Sequence, residues 1–255
     1  MLCKTACAKQ IVIRWAVTQS LSIEQQLETG VRYLDMRTGY LKQTDEFHVV
    51  HGLYGHNMEI LLSDVANFLR KHPKEVIVLD FHEFFSFTKP LHQKFAKFIE
   101  SHFASMLYAP SDKGLNVSLK DIWAVGGQAI VIYDDTSVHE EFPNFWSKNH
   151  IYSPWPNTNS VSTLLQALES RFDSLKPLQF NVFQAILSPQ TSDIVKHLSS
   201  SLRKFLSVKC DVAVSKWLAK VYDEKKKGAN IVICDFVDMD KCVESIIKLN
   251  DLLRY

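Results

Sequence analysis

The chain has 255 residues, 46% of them hydrophobic and 22% charged, with a formal net charge of +1. That length can bury a sizeable core as one large domain or two small ones, and near-neutrality excludes the broad basic footprint of a nucleic-acid binder. Five cysteines, at positions 3, 7, 210, 234 and 242, are odd in number and lack metal-site or redox spacing, so we expect free thiols and a cytoplasmic location rather than a disulfide framework.

Lys4, Lys9 and Arg14 interrupt the apolar residues of the first turns, leaving Ile11-Val12-Ile13 too short for a signal-peptide core. Ser22 followed by Gln25 has the order of a capping box, which predicts a helix to about Thr29, stopped by Gly30. A strand is expected over 31–35 and a short one over 48–51. Ile60, Leu61, Val65, Phe68 and Leu69 lie on one face of a helix over 59–71, closed by Pro73. The continuous apolar run 76–79 reads as a strand buried on both sides. A helix over 91–103, a strand over 129–133 and a helix over 164–172 follow. A strand over 180–185, helical pattern over 194–217, a strand over 229–234 and a final helix with Ile246, Ile247, Leu249 and Leu252 complete the series. Strands alternating with helices mean parallel strands joined by crossover helices. About six strands are expected, the first preceded by a helix. The run Lys225-Lys226-Lys227 reads as a solvated face.

Polar residues gather at the C-terminal ends of the expected strands: Asp35 and Arg37, His51, Asp80 and His82, Tyr133 and Asp134, then Asp235, with Gln184 on the fifth strand. Ligands bind along this edge in barrels and open α/β sheets. An arginine can grip a phosphate through two parallel hydrogen bonds, a histidine can exchange a proton near neutral pH, and a carboxylate can fix its tautomer. Such a set suits phosphoryl transfer from a diester with loss of an alcohol. Each residue also has a structural explanation. Asp35 and Arg37 could pair with each other, His51 beside Gly52 could be a backbone hydrogen-bonder, and Asp80 and Asp235 could cap turns. Phe84, Phe85, Phe87 and Leu91 are expected to pack on the sheet rather than form a lipid-facing rim.

The stretches RWAVTQSLSIEQQLETGVRYLDMR, HVVHGLYG, HPKEVIVLDFHEF, SPWPNTNS and NIVICDFVDMDKCVESIIKLNDLL together resemble the phosphatidylinositol-specific phospholipase C X-domain-containing proteins. The resemblance implies a TIM-type (β/α) barrel over 14–255, after an unassigned segment 1–13. It also implies cleavage of a phosphoinositide or related phosphodiester, in lipid metabolism or signalling, with transient contact with a membrane surface. By that resemblance His51 is the general acid that protonates the departing oxygen, Arg37 grips the phosphate, Asp35 belongs to the same cluster, and Asp235 orients the general-base histidine. No nucleic acid and no cofactor are implied. Asp35, Asp80 and Asp235 are conceivable oxygen ligands, but no metal-ligand string is complete.

The family opens with a strand carrying Ile-Pro-Gly-Ser-His-Asp, whose histidine is the base. Residues 1–30 here contain neither that string nor any histidine, as a shortened or alternative N-terminus would give. The barrel is therefore expected to be incomplete for want of that first strand, and the chain to be impaired as an enzyme. His48 and His56 are not placed to replace the base, and His82 stands where the family usually has asparagine. The alternative is a non-catalytic phosphoinositide-binding or scaffolding protein.

Overall fold

The computed structural model describes residues 6–111, 114–225, 229–239 and 241–252. They divide into two compact units. The central unit comprises Ile23–Tyr152 with Pro177–Phe180; the terminal unit comprises Met1–Ser22, Ser153–Lys176 and Asn181–Tyr255.

The central unit opens with helix α2 (Ile23–Glu28) and continues through strands β1 (Tyr33–Leu41), β2 (Glu46–Val50) and β3 (Tyr54–Asn57). Helix α3 (Met58–Lys71), strand β4 (Ile77–Phe85), helix α4 (Lys89–Phe103), helix α5 (Leu119–Ala124) and strand β5 (Ala129–Tyr133) follow, with the two-residue strands β6 (Trp146–Ser147) and β7 (Ile151–Tyr152) at its end. One six-stranded sheet has the order β3-β2-β1-β4-β5-β6. β1, β4, β5 and β6 run parallel, while β2 and β3 add an antiparallel hairpin at the β1 edge.

Period-two alternation gives this sheet two unlike faces. Leu34 and Met36, Ile77, Leu79 and Phe81, then Ala129, Val131 and Tyr133 pack in one core with the apolar faces of α3 and α4. Val76 and Val78, Ile130 and Ile132 belong to a second cluster with Tyr108 and Trp146. The α3 stripe forms because Leu61, Leu62, Val65, Phe68 and Leu69 recur at helical spacing. The helix starts at Asn57, whose Oδ1 accepts the Glu59 N–H at 2.8 Å, and Arg70 and Lys71 complement its C-terminal dipole. Phe84 and Phe87 pack against the α4 side of the core, and only Phe85 of that aromatic run is exposed.

The terminal unit holds helices α1 (Ala6–Ala16) and α6 (Val161–Asp173), strand β8 (Phe180–Gln184, whose first residue is counted with the central unit), and helix α7 (Thr191–Lys196). Helix α8 (Val208–Lys225), strand β9 (Ile231–Ile233) and helix α9 (Lys241–Leu252) complete it. β8 and β9 are parallel, with Phe183 opposite Val232. Leu164, Leu168, Phe183, Leu206, Val214 and Leu218 form its separate core. The helical pattern expected over 194–217 is interrupted: His197 ends α7, and the chain re-enters helix through a π-helical turn, Arg203–Ser207. The last two lysines of the Lys225–Lys227 run lie outside the described residues, as does the side chain of the first.

Candidate functional site

β1 and β4 carry a polar row on the sheet face opposite the α3–α4 core. Register partners on adjacent parallel strands share a face, and here Asp35 lies opposite Asp80 and Arg37 opposite His82. Tyr33, two residues before Asp35, extends the row. These residues do not terminate their strands, as the apolar runs alone suggested. β1 continues to Leu41 because it pairs with β2, and β4 continues to Phe85 beside β1.

His82 Nε2–H donates to Asp35 Oδ1 at 2.6 Å. Burial alone would lower the His82 pKa, but the Asp35 hydrogen bond and the charges of Asp35 and Asp80 outweigh it, so the imidazole is shifted upward. Tyr33 OH donates to Asp80 Oδ2 at 2.6 Å. Burial raises the Asp80 pKa to about 6, with the Tyr33 hydrogen bond and the His82 charge opposing it. Arg37 Nη1 lies 3.0 Å from Glu83 Oε2.

Glu83 is the extra residue of a β-bulge: Arg37 pairs with His82, and the next residue, Thr38, pairs with Phe84. Its φ is +54°, a left-handed conformation for a non-glycine residue. Strained backbone of this kind persists where the surroundings over-determine it; here it aims the Glu83 carboxylate at Arg37. The row therefore contains a guanidinium, Arg37, and an imidazole, His82, whose protonated form Asp35 favours, each held by a carboxylate and each still partly open to solvent. Asp35, Arg37, Asp80 and His82 were legible as candidates from sequence. Tyr33 and Glu83 were not, although Tyr33 could have been found by counting back two residues from Asp35.

His51 follows β2 directly. Its N–H donates to Leu53 O at 3.0 Å, and Gly52, at φ +69°, turns the chain back into β3. The imidazole is exposed. The antiparallel register Thr38–Val49 runs the end of β2 back toward the Asp35–Arg37 segment of β1. His48 makes structural hydrogen bonds, with Nδ1–H to Gly55 O at 3.0 Å. Tyr133 faces the helix-side core instead of the polar row, and its OH meets His92 Nδ1 at 3.0 Å. Gln184 Nε2 donates to Ser153 O and Oγ, at 3.0 and 2.9 Å.

Asp235 belongs to the terminal unit, two residues past β9. The loop carrying it is tied down by three residues. Gln19 Nε2 donates to Cys234 O at 2.9 Å while Gln19 Oε1 accepts from Val237 N–H at 3.0 Å, and Phe236 N–H donates to Thr18 O at 2.7 Å. Arg203 Nη1 binds Ser20 Oγ and Asp238 Oδ2, both at 2.7 Å. Phe236 adopts φ +52°, a second strained residue beside a candidate carboxylate. Surrounding protein raises the Asp235 pKa to about 7, although the residue keeps some solvent-accessible surface. It lines a cavity of about 10 Å³ with Cys210, Asp211, Cys234 and Cys242, room for about one water. Burial, with the Asp235 charge adding to it, pushes the Cys210 thiol up to about 12. Cys210, Cys234 and Cys242 are free thiols; Cys3 and the Cys7 side chain lie outside the described residues. Among the described residues, no group of three or more His, Cys, Asp or Glu side chains is arranged to hold a metal ion.

A family model described as phosphatidylinositol-specific phospholipase C, X domain, matches residues 7–133. The chain is 32% identical over 256 aligned positions to PI-PLC X domain-containing protein 2 of Mus musculus, an alignment covering 99% of this chain and 74% of that protein. Among solved structures it resembles the phosphatidylinositol-specific phospholipase C of Listeria monocytogenes, with a TM-score of 0.69 at 17% identity over 96% of this chain and 87% of that one. A mutant of the Staphylococcus aureus phosphatidylinositol-specific phospholipase C gives the same TM-score at 14% identity, covering 94% and 86%. The fold is thus that of the bacterial barrels, as expected. Among the described residues the strands form no single closed sheet.

Proposed function

The chain belongs to the phosphatidylinositol-specific phospholipase C X-domain family, and from that premise we propose that its polar row binds the phosphodiester of a phosphoinositide or related lipid. The observation that carries this reading is the pairing of Arg37 with Glu83 and of His82 with Asp35 on one face of adjacent strands. Two cations presented together suit the two non-bridging oxygens of a diester. In this reading Arg37 exchanges Glu83 for a phosphate oxygen, His51 protonates the departing alcohol oxygen, Asp35 keeps His82 charged, and Asp235 is the carboxylate that would orient a base.

As an enzyme the 255-residue chain is impaired. Residues 1–30 contain no histidine, and among the described residues no neighbouring cation offsets the burial of Asp235. Loss of general-base catalysis costs about 10²- to 10⁴-fold in rate. Binding without appreciable turnover also accommodates the scaffolding role, which the absence of a histidine from residues 1–30 favours.

The test is inositol phosphate release from phosphatidylinositol vesicles by three proteins. These are the chain, the chain carrying a family Gly-Ser-His-Asp strand before Arg14, and that graft with His51→Ala. Background release by the chain, release by the graft and its loss on His51→Ala are expected. Robust turnover by the unmodified chain would overturn the assignment of impairment. Turnover by the graft that survives His51→Ala would remove His51 from the mechanism.

A further inference from the structure

A trough between α6 and α8 on the terminal unit plays no part in phosphodiester chemistry. It encloses about 900 Å³, and Leu165, Phe205, Val208, Val212, Ala213 and Trp217 form its apolar lining. Trp217 is buried, and its Nε1–H donates to Glu169 Oε2 at 3.0 Å, which fixes the indole and occupies the one carboxylate lining the trough. Val208 is 48% exposed. Lys204, Lys209, Lys216 and Lys220 also line the trough, so four ammonium groups face a single carboxylate. Among the described residues, Lys204 and Lys216 form no ion pair; the Lys209 charge acts on Asp193, and its Nζ lies 5.1 Å over the Phe205 ring. The π-helical turn Arg203–Ser207 brings Lys204 and Phe205 to the head of the trough, and such turns are frequent at functional sites.

The shape and the spread of charge select the occupant. From position 204 to position 220 the lysines extend over about 24 Å of helix at about 1.5 Å per residue. A single anionic headgroup would call for cations gathered at one end, whereas these are distributed along the whole length. A flat bilayer would call for apolar side chains standing out from the surface, whereas most of these line a recess between two helices. We propose that the trough docks an amphipathic helix of a partner protein, with apolar anchors at i, i+3, i+4 and i+7 and acidic residues flanking them.

The probe is a dye-labelled synthetic helix of about five turns, with leucines on one face and glutamates on both flanks. It is titrated against the full chain by fluorescence anisotropy. The comparison probes are its lysine-for-glutamate analogue, a scrambled peptide of the same composition, and phosphatidylcholine vesicles with a minority of phosphatidylserine. The acidic amphipathic peptide should bind at least about tenfold more tightly than either peptide control and weaken as salt rises. Lys209→Glu with Lys216→Glu, and separately Val212→Asp, should each weaken it about tenfold or more without lowering the melting temperature. Should the Val212→Asp protein fail to fold, the exposed lysine pair still decides. The proposal is overturned if the acidic peptide does not bind, if it binds no better than its basic or scrambled analogue, or if the lysine variant binds it like the parent. Vesicle binding that is tighter than peptide binding and depends on the same lysines would also overturn it, assigning the surface to a membrane.

Discussion

Asp80 and Asp235 are carboxylates whose surroundings make charge expensive. For Asp235 the sign is set by its pKa, raised to about 7 from an ordinary value of 3.8. Between those values the native state holds more protons than the unfolded one, so the Asp235 contribution to stability falls as pH rises from about 4 to about 7 and is constant above. Asp235→Asn removes the group that must ionise. It should raise stability by about 2 to 4 kcal/mol at pH 8 and leave it little changed at pH 4. Thermal melts of parent and variant at both pH values measure this, and an equal or lower melting temperature for the variant at pH 8 would show that Asp235 is stabilised in its charged form. Asp35, Arg37 and Asp80 could be read from their place just after apolar runs. Glu83 could not, because only the bulge at the Arg37–Thr38 step aims its side chain at Arg37.

At the scale of elements, the hairpin that presents His51 depends on a close approach at Gly39. A methyl group there would lie 2.5 Å from Val50 Cγ2 and 2.8 Å from Tyr54 Cε1, so those side chains or the hairpin carrying them would have to shift. Gly39→Ala should cost about 1 to 3 kcal/mol through overpacking. Gly55→Ala, where the nearest atom is Val49 O at 3.4 Å, should be nearly neutral. A denaturant titration that ranks the two substitutions equally would contradict the packing account of the hairpin. The element pattern was well marked where amphipathic helices and apolar strands follow their periods: α3, α4 and β5 lie within two residues of expectation. β1 and β4 were expected to be short because the apolar runs stop at polar residues, yet those residues occupy the second face of strands that continue past them. α1 escaped notice because Lys9 and Arg14 interrupt its apolar stripe, although Trp15 is buried in the terminal core.

At the scale of the molecule, each unit has its own apolar core, and the candidate residues are divided between them: Asp35, Arg37, His51 and His82 in one, Asp235 in the other. No helix among the described residues is long and apolar enough to cross a membrane. The family was legible because five long strings survive in order from residue 14 onward; the pairings inside the site were not, since they arise from strand register rather than from any local motif. In the proposed function Arg37 anchors a phosphodiester and Glu83 competes for it. Isothermal titration of glycerophosphoinositol into the parent, Arg37→Ala and Glu83→Gln tests it most directly. Measurable binding by the parent, a loss of about tenfold or more for Arg37→Ala, and tighter binding for Glu83→Gln are expected. Equal affinity in the parent and Arg37→Ala, or weaker binding when Glu83 is neutralised, would contradict it.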